Sequence, residues 1–283
     1  MNGRMLTALT FLLASIVVTG MTVMQVHPAA AENIDRGVVA FTAHDYGFKG
    51  PDRITAGMTT VRVVNQGKDL HHVQLVKLTQ GKTAADFAAS MKADPAHPPA
   101  WISFVGGPNA VVPGGQAEAI MQLDAGEYLL LCLIPNKQGV PHAALGMQKP
   151  VTVMPAKSAA AVEPKADLTI TQSDFSFSLS QPMTAGHHTI QVTNKGGQPH
   201  EVVVVKLAPG ATAKDFAAAF EPGASGPPPG MPIGGIVGIE KGGRGYFTGD
   251  FEPGQYGLIC FFPDPQTGAP HFAKGMTLDV SVK

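Results

Sequence analysis

Residues 126–147 read GEYLLLCLIPNKQGVPHAALGM, and residues 254–276 read GQYGLICFFPDPQTGAPHFAKGM. In both stretches a glycine and a tyrosine precede an apolar run that ends on a cysteine. Each then closes with a proline, a histidine and a methionine. Cys132 and Cys260 are the two cysteines of the chain. This likeness predicts that one structural unit occurs twice.

The repeat extends upstream of these stretches at an offset of 128 or 129 positions. The matched motifs are Asn65-x-Gly67-x-x-x-His71 with Asn194-x-Gly196-x-x-x-His200, and Thr83-Ala84-x-Asp86-Phe87 with Thr212-Ala213-x-Asp215-Phe216. We therefore predict a first domain over residues 32–154 and a second over residues 166–283. The segment between them, residues 155–165, is rich in alanine with two prolines and is predicted to be a linker.

Periodicity favours strands throughout both units. Residues 60–64 and 189–193 alternate between apolar and polar, whereas residues 73–78 and 202–207 are nearly continuous β-branched runs. The 33 glycines and 24 prolines are typical of many short turns. One short helix per unit is expected after Thr83 and Thr212, each followed three residues later by an aspartate in a capping-box arrangement. The predicted fold class is all-β, with two tandem β-sandwich domains.

The N-terminus is typical of an export signal. Arg4 precedes an apolar run over residues 5–26, and the alanines at 29–31 offer a cleavage site, so residues 1–31 are predicted to be a signal peptide. A retained membrane anchor is the alternative. In either case we expect a periplasmic or extracellular protein. The formal net charge is −1 with no basic cluster, which argues against nucleic acid as a partner.

Each unit also carries a set of residues suited to one soft metal ion. A thiolate, two imidazoles and a thioether are the ligands of a blue-copper site, because sulfur stabilises Cu(I) while imidazole tolerates both oxidation states. Zinc is a weaker interpretation, since thioethers are not usual zinc ligands. The candidate residues are His71, Cys132, His142 and Met147 in the first unit, and His200, Cys260, His271 and Met276 in the second.

Taken together, these motifs resemble those of the cupredoxins, the superfamily of plastocyanin and azurin, over nearly the whole chain outside the signal. The resemblance implies Greek-key β-sandwiches, two type 1 copper ions and one-electron transfer between redox protein partners. It also implies that the two histidines and the cysteine of each unit are equatorial ligands, with Met147 and Met276 axial. The second histidine of each set, His142 or His271, is expected to be exposed and to serve as the exit for electrons.

Two features depart from the simple members of that family. Nine residues separate Cys132 from His142 and ten separate Cys260 from His271, which is closer to the loops of copper nitrite reductases. In addition, the residue after the first histidine is often an asparagine that ties the ligand loop, and here it is His72 or Glu201.

Several other interpretations compete with an electron carrier. A disulfide could join the two cysteines, or the fold could persist with empty sites. A multicopper enzyme of the nitrite reductase or laccase type is disfavoured, because no histidine stands beside either cysteine and no His-x-His pair occurs. On that ground we predict that the chain is not an enzyme. Extra clusters of methionine and histidine would favour a role in copper supply or resistance without electron transfer, and the sequence lacks them.

Overall fold

The computed structural model describes residues 37–94, 98–156, 162–221 and 223–283. The predicted signal peptide lies outside the described residues, as does part of the predicted linker. The strands of the first repeat are β1 (Val38–His44), β2 (Gly47–Lys49), β3 (Arg53–Thr55), β4 (Gly57–Asn65), β5 (Gln74–Leu78), β6 (Ile102–Gly106), β7 (Gln116–Leu123), β8 (Gly126–Leu131) and β9 (Gln148–Met154). Those of the second are β10 (Leu168–Ser173), β11 (Ser176–Leu179), β12 (Gly186–Asn194), β13 (His200–Leu207), β14 (Gly230–Ile239), β15 (Arg244–Phe251), β16 (Gly254–Ile259) and β17 (Thr277–Val282).

The predicted all-β fold is confirmed, and both repeats are Greek-key sandwiches. The runs that alternate in sequence are β4 and β12, with every second side chain in the core. The continuous apolar runs are β5 and β13, which are covered on both faces. One sheet has the order β11-β10-β12-β15-β7-β4-β1-β2, and the other has the order β17-β16-β13-β14-β6-β5-β8-β9-β3. Both sheets therefore run without interruption from one repeat into the other.

The junction between the repeats follows a twofold relation. Strands β7 and β15 stand at matching positions of the two repeats and pair antiparallel, with Ala119 opposite Phe247, its own counterpart 128 positions later. In the second sheet, Pro108 forms a bridge with Ile236, again its own counterpart. A contact in which equivalent positions meet each other is isologous, as in a symmetric dimer. Here that dimer-like contact is built inside one chain.

The two predicted helices are present, and both begin as the sequence indicates. The first, α1 (Ala84–Ala93), is capped by Thr83, whose hydroxyl accepts from the backbone N–H of Asp86 while the Asp86 carboxylate accepts from Thr83. The shorter α2 (Ala213–Ala218) has the same reciprocal cap from Thr212. Such a box satisfies backbone donors that a helix start leaves free. Among the described residues, no helix is long and apolar enough to cross a bilayer.

Candidate metal centres

A thiol and two imidazoles converge in each repeat. In the first, the Cys132 sulfur lies 3.8 Å from Nδ1 of His71 and 3.5 Å from Nδ1 of His142. In the second, the Cys260 sulfur lies 3.3 Å from Nδ1 of His271. His200 completes that group, and within each set the three ligand atoms lie within 4.8 Å of one another. All six side chains are buried, so residues about sixty positions apart in sequence share one enclosed site.

The methionines lie at the end of the same loops. Both are fully buried, and their backbone binds to the other candidates. The Met147 carbonyl accepts from the Cys132 N–H at 3.2 Å, and the Met147 N–H donates to the His142 carbonyl at 2.9 Å. The second loop repeats both bonds with Met276 at 3.2 and 3.0 Å. The axial role of the two sulfurs stays a prediction, whereas the position of the methionines beside the cysteine and histidine backbone is a feature of the fold.

An aspartate anchors the first histidine of each set. Nε2 of His71 lies 3.1 Å from Oδ1 of Asp45, and Nε2 of His200 lies 2.9 Å from Oδ1 of Asp174. A hydrogen bond to the carboxylate places the ring proton on Nε2 and leaves the lone pair of Nδ1 facing the cysteine. These aspartates are absent from the predicted sites, although they are 129 positions apart and thus carry the repeat signal.

The geometry also explains the Asn-x-Gly motif upstream of the first histidine. The side chain of Asn65 accepts from the Gly67 N–H at 2.8 Å and donates to the carbonyl of Asp69 at 2.8 Å, which fixes the turn. A β-carbon on Gly67 would lie 2.4 Å from both Asp45 and His71. Glycine is therefore required for the aspartate and the histidine to meet. Asn194 and Gly196 make the same arrangement in the second repeat.

The residues that replace the usual asparagine after the first histidine still tie the cysteine loop. Nε2 of His72 accepts from the N–H of Leu133 at 2.8 Å. Oε1 of Glu201 accepts from the N–H of Phe261 at 3.1 Å. Each donor belongs to the residue directly after a candidate cysteine. The two repeats thus use different side chains for one structural task.

Burial sets the protonation of the metal-free sites. It lowers the pKa of His71, His142 and His200, and lowers the pKa of His271 to about 4. It also raises the pKa of the Cys132 thiol to about 12 and that of Cys260 well above its usual value. The imidazoles are therefore neutral and ready to bind a cation near pH 7, while each cysteine must lose a proton on binding.

Both second histidines are covered, which corrects the expectation that they are exposed. His142 and His271 each have 0% of their surface accessible. The Tyr46 ring lies over His142 with centroids 5.0 Å apart, and the Phe175 ring lies over His271 at 5.3 Å. Both aromatic residues have positive φ angles, 72° and 63°, which is strained for a bulky side chain. This turn conformation places the rings over the sites, and sequence spacing alone does not reveal it.

The donor set fits copper. Ligand atoms that bind one ion at roughly 2.0–2.3 Å lie about 3.5–3.8 Å apart, which matches the two sulfur–nitrogen distances of the first site. In the second site Nδ1 of His200 and Nδ1 of His271 are only 2.9 Å apart, so these rings must separate slightly to bind one ion. Cys132 and Cys260 are free and each lies in its own site, so the disulfide interpretation is wrong.

With topology, ligand order and convergence all in place, the assignment follows. Both repeats have a cupredoxin-like fold. Neither a protein-family model nor a curated protein sequence matches the chain. Similar solved structures do exist. A dithionite-reduced auracyanin from the photosynthetic bacterium Roseiflexus castenholzii is 21% identical and covers 42% of this chain and 97% of its own, with a TM-score of 0.31.

Two copper enzymes are similar across both cupredoxin-like repeats. A multicopper oxidase is 13% identical over 87% of this chain and 88% of its own, with a TM-score of 0.27. The copper-containing nitrite reductase from Thermus scotoductus SA-01 is 14% identical over 87% of this chain and 61% of its own, with a TM-score of 0.25.

The prediction that the chain is not an enzyme is wrong, because the structures similar to both repeats include copper enzymes. The criterion behind it considered only histidines adjacent to a cysteine or to each other in sequence. The two sites show why this criterion fails, since His71 and Cys132 are brought together from distant positions.

Proposed function

We propose that this chain is an exported copper protein whose two type 1 sites each accept and release one electron. The observation that supports it most is the buried meeting of one thiol and two imidazoles in each repeat. When bound there, copper supplies a centre that cycles between the +1 and +2 states. The export role rests on the N-terminal sequence pattern, and the partners are proposed to be redox proteins.

The chain's own residues account for the properties that such a site needs. Asp45 and Asp174 fix the tautomer and orientation of the first histidines. The N–H groups of residues 201 and 262 point at the Cys260 sulfur, and those of residues 72 and 134 point at Cys132, which stabilises the thiolate. Tyr46 and Phe175 exclude water from the second histidines. Rigid, dry ligands change little between oxidation states, which favours fast electron transfer.

The proposal is tested by loading the protein without residues 1–31 with Cu(II). A copper content near two per chain and an intense visible absorption from thiolate-to-copper charge transfer are expected. Cys132→Ser and Cys260→Ser should each remove one copper and one of the two absorptions, and the double variant should remove both. His187→Ala is the matched control, because His187 is exposed and outside both sites.

Two results would contradict the carrier role. Copper bound at full occupancy without thiolate absorption would indicate storage rather than redox duty. Steady consumption of nitrite or of a phenol by the loaded chain would show that electrons end on a small substrate.

A further inference from the structure

A chain of buried side chains connects the two candidate sites across the junction of the repeats. It consists of His72 from the first repeat, Asn109 beside the twofold junction and Glu201 from the second repeat. These side chains are 7%, 1% and 7% exposed, respectively. His72 and Glu201 directly follow the candidate ligands His71 and His200.

Polar contacts link these three side chains. Nε2 of His72 accepts from the Leu133 N–H at 2.8 Å, so the other ring nitrogen carries the proton, and it interacts with the side chain of Asn109. Nδ2 of Asn109 donates to Oε2 of Glu201 at 3.1 Å. At the far end, Oε1 of Glu201 accepts from the Phe261 N–H at 3.1 Å. Leu133 and Phe261 each follow one of the two cysteines.

The orientation of the Asn109 amide is fixed. Its oxygen accepts from the Ala110 N–H at 2.7 Å, and the two hydrogens of its nitrogen are shared among Glu201 and the carbonyls of Val202 and Ile236, the latter at 3.1 and 3.2 Å. The amide therefore presents an acceptor to its own repeat and donors to the other. The counterpart of Asn109 in the second repeat is Val237, which has no such groups, so the connection is specific to this side of the junction.

From this geometry we infer that His72, Asn109 and Glu201 form an internal path for electrons between the two sites. The inference rests on the proposed function. The step moves one electron from the reduced site to the oxidised site, so one is oxidised as the other is reduced and no further reactant is needed. Each end of the path reaches a site twice, through the backbone of the neighbouring histidine and through the N–H after the cysteine.

If His72 and Glu201 only fixed the cysteine loops, their bonds to the N–H groups of Leu133 and Phe261 would be sufficient. The bond between Asn109 and Glu201 joins two loops that are already tied, and it crosses between the repeats. An electron path predicts that this central bond controls the exchange rate while the sites themselves stay unchanged. This difference separates the two roles.

The experiment uses the full copper-loaded chain. A pulse that reduces a small fraction of the copper should be followed by a first-order redistribution whose rate is independent of protein concentration. The redistribution is recorded through the absorption of each centre, in the wild type and in the variant Met276→Gln. In that variant the side chain proposed to be axial is changed, so the two centres differ in reduction potential. Cys132→Ser and Cys260→Ser, which each have one site, should lack this phase.

The decisive variant is Asn109→Val, which installs the residue that the second repeat has at the equivalent position. We expect the first-order phase to slow by at least about tenfold, equivalent to ~1.4 kcal/mol of barrier, with unchanged copper content and unchanged spectra of both centres. Glu201→Gln keeps an oxygen for the Phe261 N–H but places two donor groups opposite each other at the Asn109 contact. This variant should also slow the first-order phase, and it tests the inference if Asn109→Val fails to fold.

Gln74→Leu is the matched control. Gln74 is buried and donates across the same junction to the carbonyl of Gly238 at 3.1 Å, but it lies outside the path. Its variant should leave the rate unchanged. Equal slowing in Gln74→Leu would attribute the effect to a loosened junction and overturn the inference, as would full speed in both path variants. Two loaded centres that never exchange electrons would overturn the path alone, whereas a wild type without copper would overturn the proposed function and the path with it.

Discussion

The outer faces of the two sites differ more than their ligands do. Over the second site, Nζ of Lys274 lies 4.8 Å above the Phe175 ring and forms a 2.8 Å ion pair with Asp264. The position that corresponds to Lys274 in the first repeat is Leu145, whose side chain is 41% exposed. The first site is thus covered by an apolar surface and the second by a clamped cation. The two repeats therefore share the same inner candidate residues and differ in the surface residues that cover them.

The second histidines differ in the same way. Nε2 of His271 is 3.0 Å from Oε1 of Gln198, whereas Nε2 of His142 is buried without a hydrogen-bond partner among the described residues. The counterpart of Gln198 is Asp69. A ring held on both sides has less freedom than a ring held only through packing. The second histidine of the second site, His271, is therefore more strongly preorganised than His142, and the following experiments probe this difference.

Removal of the aspartate anchors should have the largest effect on affinity. Asp45→Ala and Asp174→Ala are each expected to weaken copper binding at their own site by about 10–100-fold, because the first histidine loses its fixed orientation. The loss should be larger for Asp45→Ala, since the second site keeps the Gln198 contact. Competition with a chelator measures both constants. Asp→Asn variants retain an oxygen and are the controls. Equal losses at both sites would contradict the difference in preorganisation.

Copper affinity should also rise with pH by about tenfold per unit at each site. The imidazoles have a pKa below the usual 6.5 and are already neutral above that pH, whereas the Cys132 thiol has a pKa near 12 and must release its proton. One proton per copper is therefore released between pH 6.5 and 9. Titration calorimetry in buffers of different ionisation enthalpy counts these protons. Two protons per copper would show that a histidine is also protonated in the free site.

Much of the fold, and the convergence of the candidate histidines and cysteines, could be predicted because the signals are local and repeated. Strand alternation, the helix caps and the Cys–His–Met loops each lie within a few residues and occur twice. Asp45 and Asp174 carried the same repeat signal but no chemical motif drew attention to them. Asn109 could not have been found, because its counterpart is Val237 and its partners in the second repeat lie 92 or more positions away. The buried state of His142 likewise depends on the backbone conformation of Tyr46.

The smallest expected effect comes from the charge over the second site. Lys274→Leu removes a cation near His271, and a nearby positive charge favours the reduced, less positive state of the metal. We expect the reduction potential of the second site to fall by up to about 40 mV, the one-electron equivalent of ~1 kcal/mol for a partly exposed charge. Leu145→Lys, the reciprocal change, should raise the potential of the first site by less, because no carboxylate stands at Asn136 to hold the new ammonium group in place. Redox titration at low and high salt measures both shifts. Shifts that persist undiminished at high salt would mean that packing around Phe175, and not the charge of Lys274, distinguishes the two faces.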